Sequence, residues 1–407
     1  MNILLAIGFL LIIGYASGWL LERWGLPKII GYMATGIIFS PHTINFLDPE
    51  ITSTSQPILK VCLSFIAFEV GGALKWEKVQ KHEKEIISIT LLASVFPYFL
   101  IAGCISGISL LFPGFIPYSP INILCLSLIL GALASPTDPT ATFAVMHQFR
   151  ARGKVSDTIV GVAALDDALG ILIFSFTLGL ISIFIGPDNA SWDSPLIFSL
   201  YQIGAGILLG IVLGYGFQLI SRFFKSTSEG QWVVIVLSLL IFCAGLAQYL
   251  KVDEVLASMS MGIFVVNKCN QQKLIFKILE RYTEEIIFLF FFLLSGLYLN
   301  IATIPKAFFF ILLFIILRTL GKYLGSHTGA RFAKAAPVIQ KNTAGGLIPQ
   351  GGIVIGLVLS VYQDPLYKEI SDILLTTIMG TSIINELIGP VAAKYSLKKS
   401  GELRKTK

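Results

Sequence analysis

The stretch VSDTIVGVAALDDALGILIFSF, residues 155–176, decides the fold class of this chain. It is long and apolar enough to cross a ~30 Å hydrocarbon core, for which a helix needs ~20 residues. Two adjacent aspartates, Asp166 and Asp167, lie near its middle. An ionisable residue at that depth is costly, and by default it marks an ion path, a proton relay or a buried pair. The stretch therefore predicts a membrane helix with a polar site near the midplane.

The remaining sequence predicts an all-α polytopic membrane protein. Of its 407 residues 55% are hydrophobic and 13% are charged, whereas a soluble domain has ~25% charged residues. This composition excludes soluble repeat and barrel folds. The five cysteines have no metal-ligand spacing and are expected to be reduced. Charged and Pro/Gly-rich breaks separate about 13 candidate transmembrane helices, near residues 2–21, 28–40, 57–74, 85–111, 121–147, 156–185, 195–221, 231–250, 253–267, 283–299, 304–328, 340–362 and 371–393.

The loop charges predict the orientation of these spans. With the N-terminus outside, 24 of the 30 Lys and Arg residues fall in cytoplasmic loops, and four fall outside. Cytoplasmic loops are enriched in basic residues, so the asymmetry supports both the span count and the orientation. The basic residues form short clusters between apolar stretches and no basic face, which argues against a nucleic-acid partner. We expect a multi-pass protein of a bacterial inner membrane, in contact with lipid, with a cytoplasmic C-terminus.

Asp166 and Asp167 cannot both ionise cheaply near the midplane, because desolvation and like-charge repulsion both disfavour the second charge. Such a site is expected to keep protons until a cation displaces them. Neighbouring residues on a helix point ~100° apart, so one carboxylate can face a cavity while the other contacts a neighbouring helix. A packing pair that bonds to Ser or Thr hydroxyls is the structural alternative.

The fifth span, LSLILGALASPTDPTATFAVM at 126–146, contains its own helix breaker. Pro139 has no N–H to donate, and Asp138 before it is suited to cap a new half-helix. Non-helical backbone at membrane depth is tolerated only where it is buried in protein or lines a cavity. The twelfth span has a second break at 349–352, in the segment PQGG. Two interrupted spans in separate halves predict inverted repeats with a site where the two unwound helices cross.

Two basic residues, Arg318 and Lys322, share one face of the eleventh span. Neither is expected to stay charged in hydrocarbon without a partner. A lysine exchanges its proton more readily than an arginine, which stays charged. We therefore assign Lys322 to the ion site and Arg318 to a structural ion pair with Glu69; the reverse assignment stays open.

Five motifs in order carry a family resemblance: WGLPKIIGYMATGIIFSP at 24–41, TDP at 137–139, LDD at 165–167, GGLIPQGGIVIGL at 345–357 and INELIGPVAAKYSLKKSGEL at 384–403. Together they resemble the monovalent cation:proton antiporter superfamily, specifically its two-aspartate branch of bacterial Na⁺/H⁺ antiporters. The resemblance runs through nearly the whole chain. It implies the Na⁺/H⁺ antiporter fold and a secondary active transporter, not an enzyme, with no cofactor beyond the transported Na⁺ (or Li⁺) and H⁺.

The same resemblance implies roles for residues and segments. Asp167 would bind the cation or the proton, Asp166 would be bridged to Lys322, and Thr137 and Asp138 would complete the cation site. The transporter would be a homodimer that serves pH homeostasis, with an elevator-type movement of a core against a scaffold. The segments are 1–84 and 191–282 for scaffold and dimerisation helices, 283–299 for a linking span, 85–190 and 300–395 for the core halves, and 396–407 for a cytoplasmic tail.

Some features leave alternatives open. The electroneutral branch has asparagine before its aspartate and an acidic-plus-serine pair upstream, where this chain has Asp166 and then Val162 with Ala163. Electrogenic exchange is therefore favoured, although Glu69 and Arg318 resemble features of the electroneutral branch. A K⁺/H⁺ antiporter or K⁺ efflux exchanger is the nearest alternative. An intramembrane aspartyl protease is remote, because it takes its two aspartates from different helices.

Overall fold

A computed structural model of the chain describes residues 3–24, 26–41, 43, 50–75, 83–138, 142, 145–146, 151–185, 193–223 and 228–403. Within these ranges the regular structure is entirely helical, as the sequence predicts. The α-helices are α1 (Ile3–Arg23), α2 (Lys28–Ile38), α3 (Glu50–Ala73), α4 (Glu83–Leu111), α5 (Pro120–Leu133), α6 (Lys154–Ile185), α7 (Asp193–Phe223), α8 (Glu229–Leu250), α9 (Glu254–Lys268), α10 (Gln272–Tyr282), α11 (Glu284–Leu297), α12 (Ile304–Phe332), α13 (Pro337–Asn342), α14 (Gly352–Tyr362) and α15 (Lys368–Lys399).

The described helices include eight that are long and apolar enough to cross a membrane, and three shorter apolar ones, α2, α5 and α14. The chain is therefore a multi-pass membrane protein. The predicted count of thirteen spans stays a prediction, since most of the segment after the first break, Pro139 included, lies outside the described residues. The predicted spans at 253–267 and 283–299 leave a loop between them, where the structure forms α10. This helix is amphipathic, with Ile275, Ile278 and Leu279 buried on one face.

The chain divides into two compact units. Unit 1 comprises Met1–Trp76 and Leu196–Ala302. Small residues bring its helices together: a Cβ at Gly262 of α9 would lie 3.0 Å from the carbonyl carbon of Phe68 on α3. Helices in membranes associate through such small residues, because lipid removes the hydrophobic driving force between them.

Unit 2 comprises Glu77–Pro195 and Thr303–Lys407. Its α12 packs on α4 through a stripe of three glycines, Gly321, Gly325 and Gly329. A Cβ at Gly325 would lie 2.7 Å from the carbonyl carbon of Leu92, so no larger residue fits without separating the helices. Lys322 follows Gly321 directly on α12. The stripe therefore fixes the height at which Lys322 faces the interior of unit 2.

Two breaks in helical structure meet inside unit 2. The first follows α5, where residues 135–138 are non-helical. The second separates α13 from α14: a 3₁₀ turn, Ala344–Leu347, leads into non-helical Pro349–Gly351. The main-chain N–H of Asp138 donates to the carbonyl of Pro349 at 3.1 Å. The two unwound segments thus contact each other directly, and each contains a proline that lacks an N–H for helical bonding.

Candidate functional site

Asp166 lies on α6 about twelve residues from the start of that helix and is fully buried. Its carboxylate forms an ion pair with Lys322 of α12. The hydroxyl of Thr137, in the first break, donates to one carboxylate oxygen at 2.6 Å. The hydroxyl of Ser94, on α4, donates to the other oxygen, also at 2.6 Å. Both oxygens of Asp166 are therefore engaged by donors from three separate parts of unit 2.

The Lys322 ammonium is also fully buried. Besides Asp166 it contacts one main-chain group, the carbonyl of Ser135 in the first break, to which it donates. A buried ion pair is tolerated when its remaining donors and acceptors find partners. Lys322 thus joins the carboxylate of α6 to the unwound backbone that follows α5.

Asp167 points to a different environment from Asp166, as the ~100° step between neighbouring helix residues requires. Its side chain is buried, with 6% of its surface exposed. Its Oδ1 atom has no hydrogen-bond partner among the residues that the structure describes. Buried polar atoms are nearly always paired, and an exception calls for an explanation such as an unplaced ion or water. Asp167 therefore offers a carboxylate oxygen with capacity for a further ligand.

Asp138, also predicted at the site, has a carboxylic partner. Glu386 of α15 forms a hydrogen bond with Asp138, and both side chains are buried. Gly351 in the second break completes this contact, since a Cβ there would lie 2.7 Å from the Asp138 carboxyl group.

Arg318 binds main-chain oxygens at both breaks. Its guanidinium donates to the carbonyls of the first break, Ala134 at 3.1 Å and Pro136 at 2.8 Å. It also donates to those of the second, Ile348 at 2.5 Å and Pro349 at 3.2 Å. The planar, five-donor guanidinium suits such a role better than a lysine would.

The sequence predicts a pairing of Arg318 with Glu69, a residue of unit 1. In unit 2, the buried guanidinium of Arg318 donates its hydrogen bonds to main-chain carbonyl oxygens. Glu69 itself is partly buried in α3 of unit 1, where its charged neighbours are the acidic Glu280 and Glu284. The pairing of Arg318 with Glu69 across the two units stays a prediction.

Two buried amide side chains connect α15 to the second break and to the end of α5 by hydrogen bonds that the sequence does not predict. Asn385 of α15 donates to the side-chain oxygen of Gln350 at 2.8 Å. The amide nitrogen of Gln350 donates to the carbonyl of Leu133, the last residue of α5, at 2.9 Å. Asn385 and Gln350 are both almost completely buried. A single Asn or Gln residue has no sequence pattern that predicts such a hydrogen-bonded bridge. The one indication in the sequence is that both residues lie in segments that carry the family resemblance.

Comparisons with known proteins agree with this architecture. The model of the family described as "Sodium/hydrogen exchanger, transmembrane" matches residues 7–394. A Na⁺/H⁺ antiporter of Enterococcus hirae is 21% identical over 384 residues, which cover 93% of this chain and 94% of that protein. The Na⁺/H⁺-K⁺ antiporter GerN of Bacillus cereus is 22% identical over 391 residues, covering 93% and 92%.

Among solved structures, the sodium proton antiporter MjNhaP1 from Methanocaldococcus jannaschii at pH 8 superposes with a TM-score of 0.77. The match covers 98% of this chain and 99% of that chain, at 19% sequence identity. At this identity the match shows a shared fold.

Proposed function

The chain belongs to the sodium/hydrogen exchanger family, and on that premise we propose that it exchanges Na⁺ for protons across the membrane. It is a transporter and not an enzyme. The observation that carries the proposal is a buried oxygen of Asp167 with no hydrogen-bond partner among the described residues, beside the fully engaged Asp166–Lys322 pair. A small hard cation prefers oxygen ligands, which a carboxylate and nearby hydroxyl and carbonyl groups provide.

Exchange follows from competition at Asp167. A proton and a Na⁺ ion both neutralise this buried carboxylate, and only one of them is needed at a time. Thr137 and Asp138 lie at the same crossing and supply further oxygens for the cation. Because either occupant removes the cost of the buried charge, either loaded state can move through the membrane while the empty, charged state cannot.

Lys322 couples a second proton to the cation. When Na⁺ also engages Asp166, the ammonium loses its counter-charge and releases its proton to the water on the side to which the site is open. Lysine responds to burial in this way, whereas arginine stays charged. Two protons then move per Na⁺, and the cycle carries net charge.

The movement that changes access is assigned to unit 2. All groups of the site belong to this unit: the two breaks, α4, α6, α12 and α15. We propose an elevator-type movement of unit 2 as the core, with unit 1 as the scaffold and the dimerisation surface of a homodimer. As part of this proposal we put the protein in a bacterial inner membrane, with its N-terminus outside and its C-terminus in the cytoplasm. Exchange of Na⁺ or Li⁺ in that setting serves pH homeostasis.

K⁺ is the second candidate cation, because the printed name of the related B. cereus protein includes K⁺ alongside Na⁺. The test is exchange driven by a pH gradient in proteoliposomes, with Na⁺, Li⁺ and K⁺ added in turn. We expect dissipation of the gradient with Na⁺ and Li⁺ at micromolar to millimolar concentrations and little response to K⁺. A response to K⁺ alone would assign the chain to K⁺/H⁺ exchange, and no response to any cation would refute antiport.

A further inference from the structure

The C-terminal end of the described chain contacts the start of the helix that carries the aspartates. Glu402 follows α15, and its carboxylate accepts two main-chain hydrogen bonds, from Val155 and Ser156 of α6, both at 2.8 Å. The hydroxyl of Ser156 adds a third bond at 2.7 Å. The sequence predicts a cytoplasmic tail at residues 396–407, and within that tail Glu402 is bound to the start of α6.

The contact satisfies an electrostatic need of α6. The first N–H groups of a helix have no intrahelical acceptor, and the helix dipole places partial positive charge there. The residue before α6 is Gly153, which has no side chain to serve as a cap. A Cβ at Gly153 would collide with the Glu402 carboxyl group. The chain thus leaves the local cap position empty and fills it from a residue almost 250 positions away.

The segment that carries Glu402 is firmly attached to α15. The Glu402 N–H donates to the carbonyl of Leu397 at 3.2 Å, across a turn in which Gly401 has a φ of +79°. Leu397 is buried in a hydrophobic cluster with Val155 and Ile159 of α6, and Leu403 packs against the same cluster. Glu402 therefore links the start of α6 to the end of α15. The loop charges predict that both of these helix ends face the cytoplasm.

Both of these helices reach the crossing from that end. Asp166 lies ten residues after Ser156, or ~15 Å along the helix axis. At that level its two 2.6 Å bonds, from Ser94 and Thr137, leave little room for axial displacement. On α15, Asn385 contacts the second break through Gln350. A shift of α6 relative to α15 by 1 Å would break the bonds that hold Asp166 and would move Asp167 with it.

We propose that Glu402 is a positioning residue for the ion site: as a remote cap it sets the axial position of α6 and thereby the place of Asp167 at the crossing. The inference rests on the proposed cation exchange only for its transport consequence. The cap itself is a property of the folded chain.

The first test compares Glu402→Ala with Lys398→Ala, which removes an exposed charge from the last turn of α15. Apparent KM for Na⁺ and maximal exchange rate are measured in proteoliposomes. Hydrogen exchange at the Val155 and Ser156 amides is measured on the full-length protein in lipid nanodiscs. We expect Glu402→Ala to raise KM about fivefold, the effect of losing one helix cap, with a maximal rate within about twofold. The two amides should exchange faster, and Lys398→Ala should change neither readout.

A second perturbation approaches the same contact from α6. Gly153→Ala places a methyl group where the Glu402 carboxylate lies and should raise KM as Glu402→Ala does. Because both variants remove one interaction, the double variant should be no worse than Glu402→Ala alone. Glu402→Gln, which retains one acceptor oxygen, should be intermediate. If Glu402→Ala does not fold, Gly153→Ala and Glu402→Gln decide the question.

Two results would overturn the inference. Unchanged amide exchange in Glu402→Ala would show that the cap does not form in the membrane. Faster amide exchange with an unchanged KM would make Glu402 a cap without influence on the ion site. If the wild-type protein transports no cation, the proposed function fails, while the amide measurements still decide whether Glu402 caps α6.

Discussion

Lys322 and Asp166 form an ion pair in which neither side chain has any solvent-exposed surface. A buried pair is not a general source of stability, because its desolvation cost offsets most of the attraction. Its retention at this place is explained if the pair changes state during transport. The loss of one partner should then alter the charge carried per cycle and not only the stability of the fold.

The first prediction follows from this pair. Lys322→Gln keeps a donor to Asp166 but removes the exchangeable proton, so exchange should change from voltage-sensitive to voltage-insensitive. Each elementary charge that crosses is worth ~2.3 kcal/mol per 100 mV. The measurement is Na⁺/H⁺ exchange in proteoliposomes with and without a valinomycin-clamped K⁺ potential. Wild-type exchange rates that do not change with the membrane potential would refute electrogenic exchange.

The second prediction concerns Asp167. Asp167→Asn should abolish exchange, by at least a factor of ~100, because an amide cannot bind and release a proton. The protein should still fold and insert, as judged by its elution from a size-exclusion column. Asp157→Asn is the matched control, since Asp157 is an exposed residue in the first turn of the same helix, α6. Near-normal activity of the Asp167 variant would remove this residue from the mechanism.

The third prediction concerns the guanidinium at the crossing. Arg318→Lys keeps the positive charge but has fewer donors, and a compact ammonium cannot span carbonyls of both breaks. At least one buried carbonyl loses its partner, which costs about 1–3 kcal/mol. We expect a lower melting temperature for the purified protein, with Arg331→Lys, an exposed position on α12, unchanged. Equal melting temperatures for both variants would mean that the carbonyl contacts contribute little.

The fourth prediction tests the contact between the second break and Asp138. Gly351→Ala places a methyl group 2.7 Å from the Asp138 carboxyl group, which must move and weaken its bond to Glu386. Exchange should fall about tenfold or more, a loss of roughly 1.4 kcal/mol or more in transition-state stabilisation. Gly103→Ala on α4 is the control, because no atom lies within 4 Å of its new Cβ. Full activity of Gly351→Ala would indicate that the Asp138 side chain can shift without loss of exchange activity.

The fifth prediction concerns orientation. A reporter fused after Lys407 should be active only on the cytoplasmic side, since the loop charges predict a cytoplasmic C-terminus. Alkaline phosphatase and green fluorescent protein fusions give opposite signals and so provide their own control. Phosphatase activity at this position would invert the assignment of every loop.

The sequence predicts the parts of the site that are costly in a membrane. Asp166, Asp167 and Lys322 are conspicuous because charge at that depth needs a reason. The prolines of the two breaks are conspicuous because they remove backbone donors. Both signals depend on neighbouring residues in the chain, so they can be recognised without any knowledge of the fold.

The contacts that the sequence does not predict involve groups that every residue has. Arg318 binds main-chain carbonyls, and no side-chain pattern marks a carbonyl as a future partner. Ser94 is one of many serines in apolar stretches, and only the packing of α4 against α6 brings it to Asp166. The amphipathic pattern of α10 is visible in the sequence, but its basic residues favour the prediction of a cytoplasmic loop.

The order of synthesis has a consequence for the site. Lys322 lies 156 residues after Asp166, so at 5–20 residues per second the ribosome needs roughly 8 to 30 s to supply the counter-ion. During that interval the aspartate helix is already made, while α12 with its glycine stripe and Arg318 is not. A nascent chain arrested before residue 318 therefore contains both aspartates of α6 but lacks Arg318 and the counter-ion Lys322. The ion pair, and with it the complete site, can form only after the second half of unit 2 has been synthesised.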